Sequence, residues 1–262
     1  MKVYDTCIFF NEQALLELKF RLLGKHVDVI VIAEGTESFT GNPHKLMAQE
    51  VIDSVYTKAE VRYIKVEYPQ YLHGTWAREE FLRNSLVQGL YDFDFGDMCI
   101  YGDVDEVVNP DKLEYIKQAV RDHKFVTLCL DWLQTRASLQ QFEHDKPYDF
   151  NHTRAFDRRA FADFGDKMQA MYSFYNTPRI EDCGWHFSSM GGPVSMREKL
   201  INFSHTEYSG EEYSSLEVLQ KQYDLKQDII QRPEVELRPY DITKLPLDVI
   251  KQTKNAVEYF GL

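Results

Sequence analysis

Positive charge is in short supply in this chain of 262 residues: 30 lysines and arginines stand against 42 aspartates and glutamates, a formal net charge of -12. A surface that follows a nucleic-acid backbone needs a basic surplus, so nucleic acid is excluded as a partner and any cationic function must be local. Cysteine is sparse as well. Cys7, Cys99, Cys129 and Cys183 lie far apart, three of them inside apolar stretches, with neither the paired spacing of a zinc site nor the density of a disulfide frame. Such thiols read as buried and reduced, which predicts a soluble, cytoplasmic protein. No apolar run approaches the roughly 18 residues that span a bilayer, and "MKVYDTCIFFNEQ" lacks the long apolar region and small-residue cleavage site of a signal peptide. Two further absences narrow the nucleotide-binding families: neither the G-x-G-x-x-G fingerprint nor a Gly-Lys-Ser/Thr phosphate loop occurs.

What is present is a globular composition, 44% hydrophobic and 14% aromatic, enough to bury one core of ordinary size. The first half alternates. "VYDTCIFF", "DVIVIAE", "VRYIKVEY", "DMCIYGDVDEV" and "FVTLCLDWL" read as strands; "EQALLELKFRLLG", "NPHKLMAQEVIDSVY" and "WAREEFLRNSLVQGLYDF" read as helices between them. Asn109 is placed to cap a further helix, "DKLEYIKQAVRDH", that Pro110 starts. Alternation at this spacing predicts an α/β fold with a mostly parallel central sheet flanked by helices. Beyond residue 134 the pattern is less regular. "RIEDCGWHFSSMGG" and "KLINFSH" read as strand segments, a helix is expected near 211–231, and "DVIKQTKNAVEYF" reads as a terminal helix. No repeat or linker divides the chain, so 1–262 is expected to be a single domain.

The most informative stretch is "MCIYGDVDEVVNP". In open α/β sheets ligands bind outside the carboxyl ends of the strands, and here Asp103 falls as the apolar run ends, with Asp105 two residues later on the same side of an extended chain. Two carboxylates converging there need a counter-charge. A hard divalent cation such as manganese or magnesium supplies it and leaves positions free for a substrate's phosphates. Acids near the helix after Asn109 are also favourable as dipole partners, but Asn109 and Asp111 already serve that end. The same residues match the Asp-x-Asp nucleophile motif of haloacid-dehalogenase-like phosphatases, a rival reading that Asp103 and Asp105 would carry. Against it, three strands precede the motif, and no acidic metal pair follows downstream. A third reading is a non-catalytic carbohydrate-binding protein using the aromatic-rich stretch 132–187.

Six segments then point one way. "FFNEQALLELKFRLL", "VDVIVIAEGTESFTGNPHKL", "WAREEFLRNSL", "YGDVDEV", "GWHFSSMGG" and "NFSHTEY" occur in an order and spacing that resembles glycosyltransferase family 17, the family of β-1,4-mannosyl-glycoprotein 4-β-N-acetylglucosaminyltransferases with bacterial and viral relatives. The resemblance covers most of residues 3–208. It implies an A-type glycosyltransferase fold, UDP-N-acetylglucosamine as donor, inversion at the anomeric carbon and a divalent metal, Mn2+ or Mg2+. Residues 1–133 would form the nucleotide-sugar half, 134–210 the acceptor and catalytic half, and 211–262 a C-terminal helical extension. With no stem or membrane anchor before the motifs, a bacterial or viral glycan is the expected acceptor.

The resemblance also assigns roles. Asp105 would ligate the metal and Asp103 the metal, a metal-bound water or the ribose, with Glu106 assisting and His205 completing the shell. Phe10 and Asn11 would face the uracil, and Glu34 would accept from uridine hydroxyls, although turn and cap roles suit Asn11 and Glu34 equally. Arg78 is the favoured diphosphate anchor, since a guanidinium matches phosphate oxygens with forked donors. Arg83, four residues from Glu79, fits either that role or an exposed helix ion pair. Trp185 offers a flat face to a sugar or packs in the core. Inverting transfer needs a general base, and Glu207, then His186 and Asp182, are the candidates.

Overall fold

The computed structural model describes residues 1–262. Its first half follows the alternation read from sequence: β1 (Val3–Phe9), α1 (Gln13–Leu23), β2 (Val29–Gly35), α2 (Ala48–Ser54), β3 (Glu60–Val66), α3 (Thr75–Ser85), β4 (Met98–Asp103), β5 (Glu106–Val108), α4 (Leu113–His123) and β6 (Phe125–Gln134). The second half continues with β7 (Leu139–Glu143), β8 (Lys146–Pro147), β9 (Asp149–Phe156), α5 (Phe161–Phe164), α6 (Met168–Tyr172), β10 (Arg179–Ile180), β11 (Gly184–Ser188), α7 (Gly192–Asn202), α8 (Glu211–Ser214), α9 (Leu216–Leu225), β12 (Val235–Pro239), α10 (Leu247–Ile250) and α11 (Ala256–Phe260).

All the strands join one mixed sheet with the path β12-β7-β6-β9-β4-β1-β2-β3. β3, β2, β1 and β4 are parallel; β2, β1 and β4 are buried on both faces, and β3 is the partly exposed edge. β9 then inserts antiparallel between β4 and β6, and β7 and β12 extend the sheet antiparallel. The largest apolar cluster packs α1 and α4 on one face, and a second packs α3 and α6 on the other. Register aligns the carboxyl ends of the parallel strands: Asp103 pairs with Ile8, and Phe9 with Glu34. The acidic motif therefore emerges at the crevice where an α/β sheet takes its ligands.

Four expectations change. "KLINFSH" is not a strand: Gly191 and Gly192, at φ +90° and +77°, turn the chain into α7, and Met196 and Leu200 bury the helix's inner face against Leu219 and Ile229. α2 begins at Ala48, six residues after the Asn42-Pro43 start, because the Glu34 carboxylate accepts from Met47 N and Ala48 N and so fixes the first turn from outside the helix. The helix expected near 211–231 is the pair α8 and α9, broken where Ser215 turns extended and caps the second. The terminal helix is likewise two short pieces, α10 and α11, so the C-terminal helical extension is minor. Asn109 does accept from Asp111 N, at 3.0 Å.

Candidate active site

The site is built on the turn between β4 and β5. Gly102 is required there by space, because a Cβ at that position would stand 2.3 Å from a Glu106 carboxylate oxygen. Glu106 is buried beneath the turn, accepting from Thr153 Oγ1 at 2.6 Å and from Tyr172 OH at 2.8 Å. Burial, with the Asp103 and Asp105 charges beside it, pushes its carboxyl above the usual carboxylate range. Asp103 and Asp105 are each answered by a cation. The Arg83 guanidinium forks onto Asp103 at 2.5 and 3.0 Å, while its Nε bonds Glu79 at 3.0 Å and its plane lies 4.0 Å over the Tyr172 ring. Lys199, from α7, places Nζ 2.9 Å from Asp105 Oδ2, and His186 Nε2 lies 3.4 Å from the same oxygen.

These pairs set the electrostatics of the tip. Burial alone would raise the Asp105 carboxyl, yet Lys199 and His186 hold it well below the usual carboxylate range. Lys199 is shifted the other way: burial opposes its charge, and Asp105 and Glu12 more than restore it. The Asp103 and Asp105 side chains thus each face a fixed cation, Arg83 and Lys199, above the buried Glu106. The counter-charge expected from a metal is already supplied by the chain, through a lysine on a segment whose alternation resembles a strand. The Gly-Gly-Pro start and the four-residue step from Met196 to Leu200 are the signals that place it on a helix.

The donor set nevertheless suits a hard cation. Oxygen atoms of Asp103, Asp105 and Glu106 lie within 4.8 Å of one another, and carboxylate oxygens are the ligands manganese and magnesium prefer. Lys199 Nζ already bonds Asp105 Oδ2, so an ion that took this oxygen would displace the ammonium.

Three cavities border this tip: one of about 40 Å³ beside Asn11 and Glu198, and two larger ones that also reach Asp103. The smaller of these two, about 100 Å³, is walled by Phe10, Gly35, Ser38, Phe39 and Tyr68. The larger, about 400 Å³, runs from Trp76 and His205 past Arg83 and His186 to Trp132 and Ile229. Asp103, Asp105 and Lys199 line both. One acidic edge therefore serves two compartments, the arrangement needed to hold a charged donor on one side and a second substrate on the other.

Comparison with known proteins decides the family. A family model described as glycosyltransferase family 17 matches residues 1–250. The chain belongs to glycosyltransferase family 17. No curated protein matches it. Among solved structures it is similar to S. aureus TarS residues 1–349, at 11% identity and a TM-score of 0.44, with 98% of this chain and 85% of that one covered. It is also similar to a longer S. aureus TarS structure, at 11% identity and TM-score 0.42, covering 98% of this chain and 51% of that one. A third is mannose-6-phosphate isomerase from Helicobacter pylori, at 12% identity and TM-score 0.42, covering 69% and 86%. As a family 17 glycosyltransferase the chain acts on a sugar donor and an acceptor. None of its helices is long and apolar enough to cross a membrane.

The expected site residues of this family 17 chain separate into groups. Asp103, Asp105, His186 and His205 share the larger cavity, and Phe10 lies in the smaller, its ring 4.3 Å from that of His44. Asn11 is next door, with Nδ2 3.4 Å from Glu198. Arg78 flanks the smaller cavity through Glu37, at 3.5 Å, and its Nε is buried without a partner. His205 is a rim residue: its side chain is 41% exposed, its Nδ1 meets Glu207 at 2.7 Å, and its ring stands edge-on to Trp76. Glu207 projects outward from that rim, 57% exposed.

Three residues lie away from the cleft. Glu34 is fully buried, its two oxygens taken by Tyr63 OH, His44 Nε2, Met47 N and Ala48 N, which leaves none for a uridine hydroxyl. Asp182 lines a separate hollow with Lys112, Asp131 and Lys244. Trp185 is turned to that same side, where Nε1 donates to Tyr240 OH at 3.2 Å, so its face is core rather than a sugar platform. The alternation of β11 explains the split: His186 and Trp185 are neighbours in a strand and point to opposite faces. Arg83, open between two roles in the sequence, is 3% exposed and holds Asp103. An i,i+4 pair with Glu79 gives no hint of burial unless the inner face of α3 is known.

Proposed function

We propose that this family 17 chain transfers N-acetylglucosamine from UDP-N-acetylglucosamine to a glycan acceptor, with inversion, and that Mn2+ or Mg2+ bound at Asp103 and Asp105 assists. The observation that carries the reading is the acidic strand end shared by two cavities, with Lys199 paired to Asp105 between them. In this reading the smaller cavity takes the uridine, against Phe10 and near Asn11, with Arg78 at its flank. The nucleotide half is then 1–133 and the acceptor half 134–210. The metal, when bound, offsets charge that builds on the departing diphosphate. Lys199, freed from Asp105, turns its ammonium to the same phosphates, while the buried fork of Arg83 fixes the Asp103 carboxylate.

His186 is the base this geometry supports best among the three candidates. With Nε2–H facing Asp105 its Nδ1 is left as a buried lone pair in the cleft without a partner. Nδ1 takes the acceptor hydroxyl's proton as that oxygen bonds to the anomeric carbon, and the bond from that carbon to the diphosphate oxygen breaks with its electron pair leaving on UDP. A cytoplasmic setting belongs to the same proposal and is supported by four free, buried thiols. Thermal-shift titration with UDP and UDP-sugars, with and without Mn2+, tests the donor class. A ligand at about 100 times its dissociation constant raises stability by about 2.7 kcal/mol. Manganese-dependent stabilisation by UDP-N-acetylglucosamine supports the proposal. Stabilisation by none of the nucleotides, or manganese-independent hydrolysis of a generic phosphate ester that is lost in Asp103→Asn, overturns it.

A further inference from the structure

Besides the proposed base, His186 Nδ1, the larger cavity holds polar atoms that the transfer chemistry does not use. β6 and β11 run parallel with Trp132 opposite His186 and Gln134 opposite Ser188, so these side chains project onto one face, and all four line the cleft. Trp132 Nε1, Gln134 Oε1 and His186 Nδ1 are buried there with no hydrogen-bond partner. Buried polar atoms are almost always paired, and leaving one unpaired is costly. Their polarity is fixed. Gln134 donates its amide Nε2 to Asp228 Oδ1 at 2.8 Å, which leaves Oε1, on a residue 3% exposed, as an acceptor in want of a donor. An indole N–H can only donate, so Trp132 wants an acceptor. The indole is itself held edge-on by Tyr148 and Phe150, with ring centres 5.3 and 5.2 Å away.

From this we infer that Trp132 and Gln134 form an acceptor-sugar subsite that recognises a ring substituent able both to donate and to accept, a hydroxyl or an acetamido group. The inference rests on the transferase reading and adds to it the chemistry of the acceptor. Trp132 and Gln134 line the larger cavity and not the smaller, so the subsite belongs to the second substrate and not to the nucleotide. Its occupant is neutral. Arg232, the nearest guanidinium, is already forked onto Asp228, and Gln134 Oε1 together with that carboxylate disfavours an anion. Ile229 and Ile230, which also line the cleft, supply an apolar wall for the C–H face of a pyranose. An enzyme site built to hydrogen-bond a substrate group discriminates strongly against ligands that leave its buried atoms unpaired.

Saturation-transfer NMR on the full chain with UDP and Mn2+ present tests this with two probes, methyl β-glucopyranoside and methyl 2-acetamido-2-deoxy-β-glucopyranoside. At least one probe is expected to bind the native chain and to lose roughly tenfold in affinity in Trp132→Phe and in Gln134→Met, while UDP affinity stays within about twofold. A preference for the acetamido probe assigns the amide, and equal binding assigns a hydroxyl. Probe binding that is unchanged in both variants, or absent from a native chain that still binds UDP, overturns the subsite and leaves these atoms to water. Failure of UDP to bind while the sugar probes still distinguish the variants overturns the donor reading instead.

Discussion

Replacing Lys199 with methionine separates the two cations that compete for Asp105. The substitution keeps most of the side chain's length and apolar stem but deletes the ammonium 2.9 Å from Asp105 Oδ2, leaving a carboxylate 7% exposed with His186 alone. Removing one partner of a buried pair costs about 3–5 kcal/mol. The Lys199 side chain is 27% exposed, so the lower end applies, about 3 kcal/mol. For a chain of this size that lowers Tm by roughly 6 °C. Manganese should reverse much of the loss, since saturating a site at about 100 times its dissociation constant returns about 2.7 kcal/mol. If the proposed ion takes the oxygen that Lys199 holds, its binding to the native chain without nucleotide is expected to be weaker than to the variant by roughly a hundredfold, at 1.4 kcal/mol per decade. With UDP present the displaced ammonium has phosphates to meet, and the penalty falls. Calorimetry with Mn2+ alone and then with UDP, on native chain and Lys199→Met, checks each step. Equal manganese affinity for the two proteins without nucleotide refutes the competition.

Other perturbations probe other parts of the account. Arg83→Met leaves Asp103 and Glu79 beside an empty position and should destabilise by about 3–5 kcal/mol, read by urea unfolding; a loss under 1 kcal/mol means the fork contributes little. His186→Ala should reduce kcat by 10²-fold or more and spare UDP binding, and turnover near native would move the base elsewhere. His152, lowered to about 4 by burial and then by the Arg154 charge, is neutral in the folded state, whereas the unfolded chain titrates near 6.5. The unfolded state therefore binds the extra proton between those values, so this stability is complete above pH 6.5 and is lost as pH falls to 4, by up to about 3 kcal/mol. His152→Phe should flatten that stretch of the pH–stability curve; an unchanged slope assigns it to other groups.

How much of this was legible in the sequence follows from what each segment packs against. β1, β2 and β4 are buried on both faces, so they appear as unbroken apolar runs, and the acids that end the last of them stand out. β9 carries "DFNHTRAF", polar where it lines the cleft through His152, and β7 carries "LQQFE", whose glutamines bond Asp131 and Arg232, so neither reads as a strand by alternation. α7 failed for a related reason. Its last turn, "KLIN", runs into "FSH" with an alternation that imitates a strand, and with the helix the lysine that pairs with Asp105 was hidden. Glu34 lies at the end of β2 and Asp182 just before β11, positions where acids that fix a helix start or edge a surface hollow also occur. His186 and Trp185 differ by one residue and serve opposite faces. Only pairing with β6 tells which one meets Asp105.

The central claim is that the acidic strand end holds a cation and, through it, the diphosphate of a sugar nucleotide, between two substrate cavities. Anomalous diffraction from crystals grown with UDP and Mn2+ tests this most directly. The account predicts a manganese peak within about 2.5 Å of an Asp105 oxygen, the uracil beside Phe10, and Lys199 moved from Asp105 to the phosphates. Nucleotide lodged elsewhere, with Lys199 still seated on Asp105 and no metal there, would contradict it.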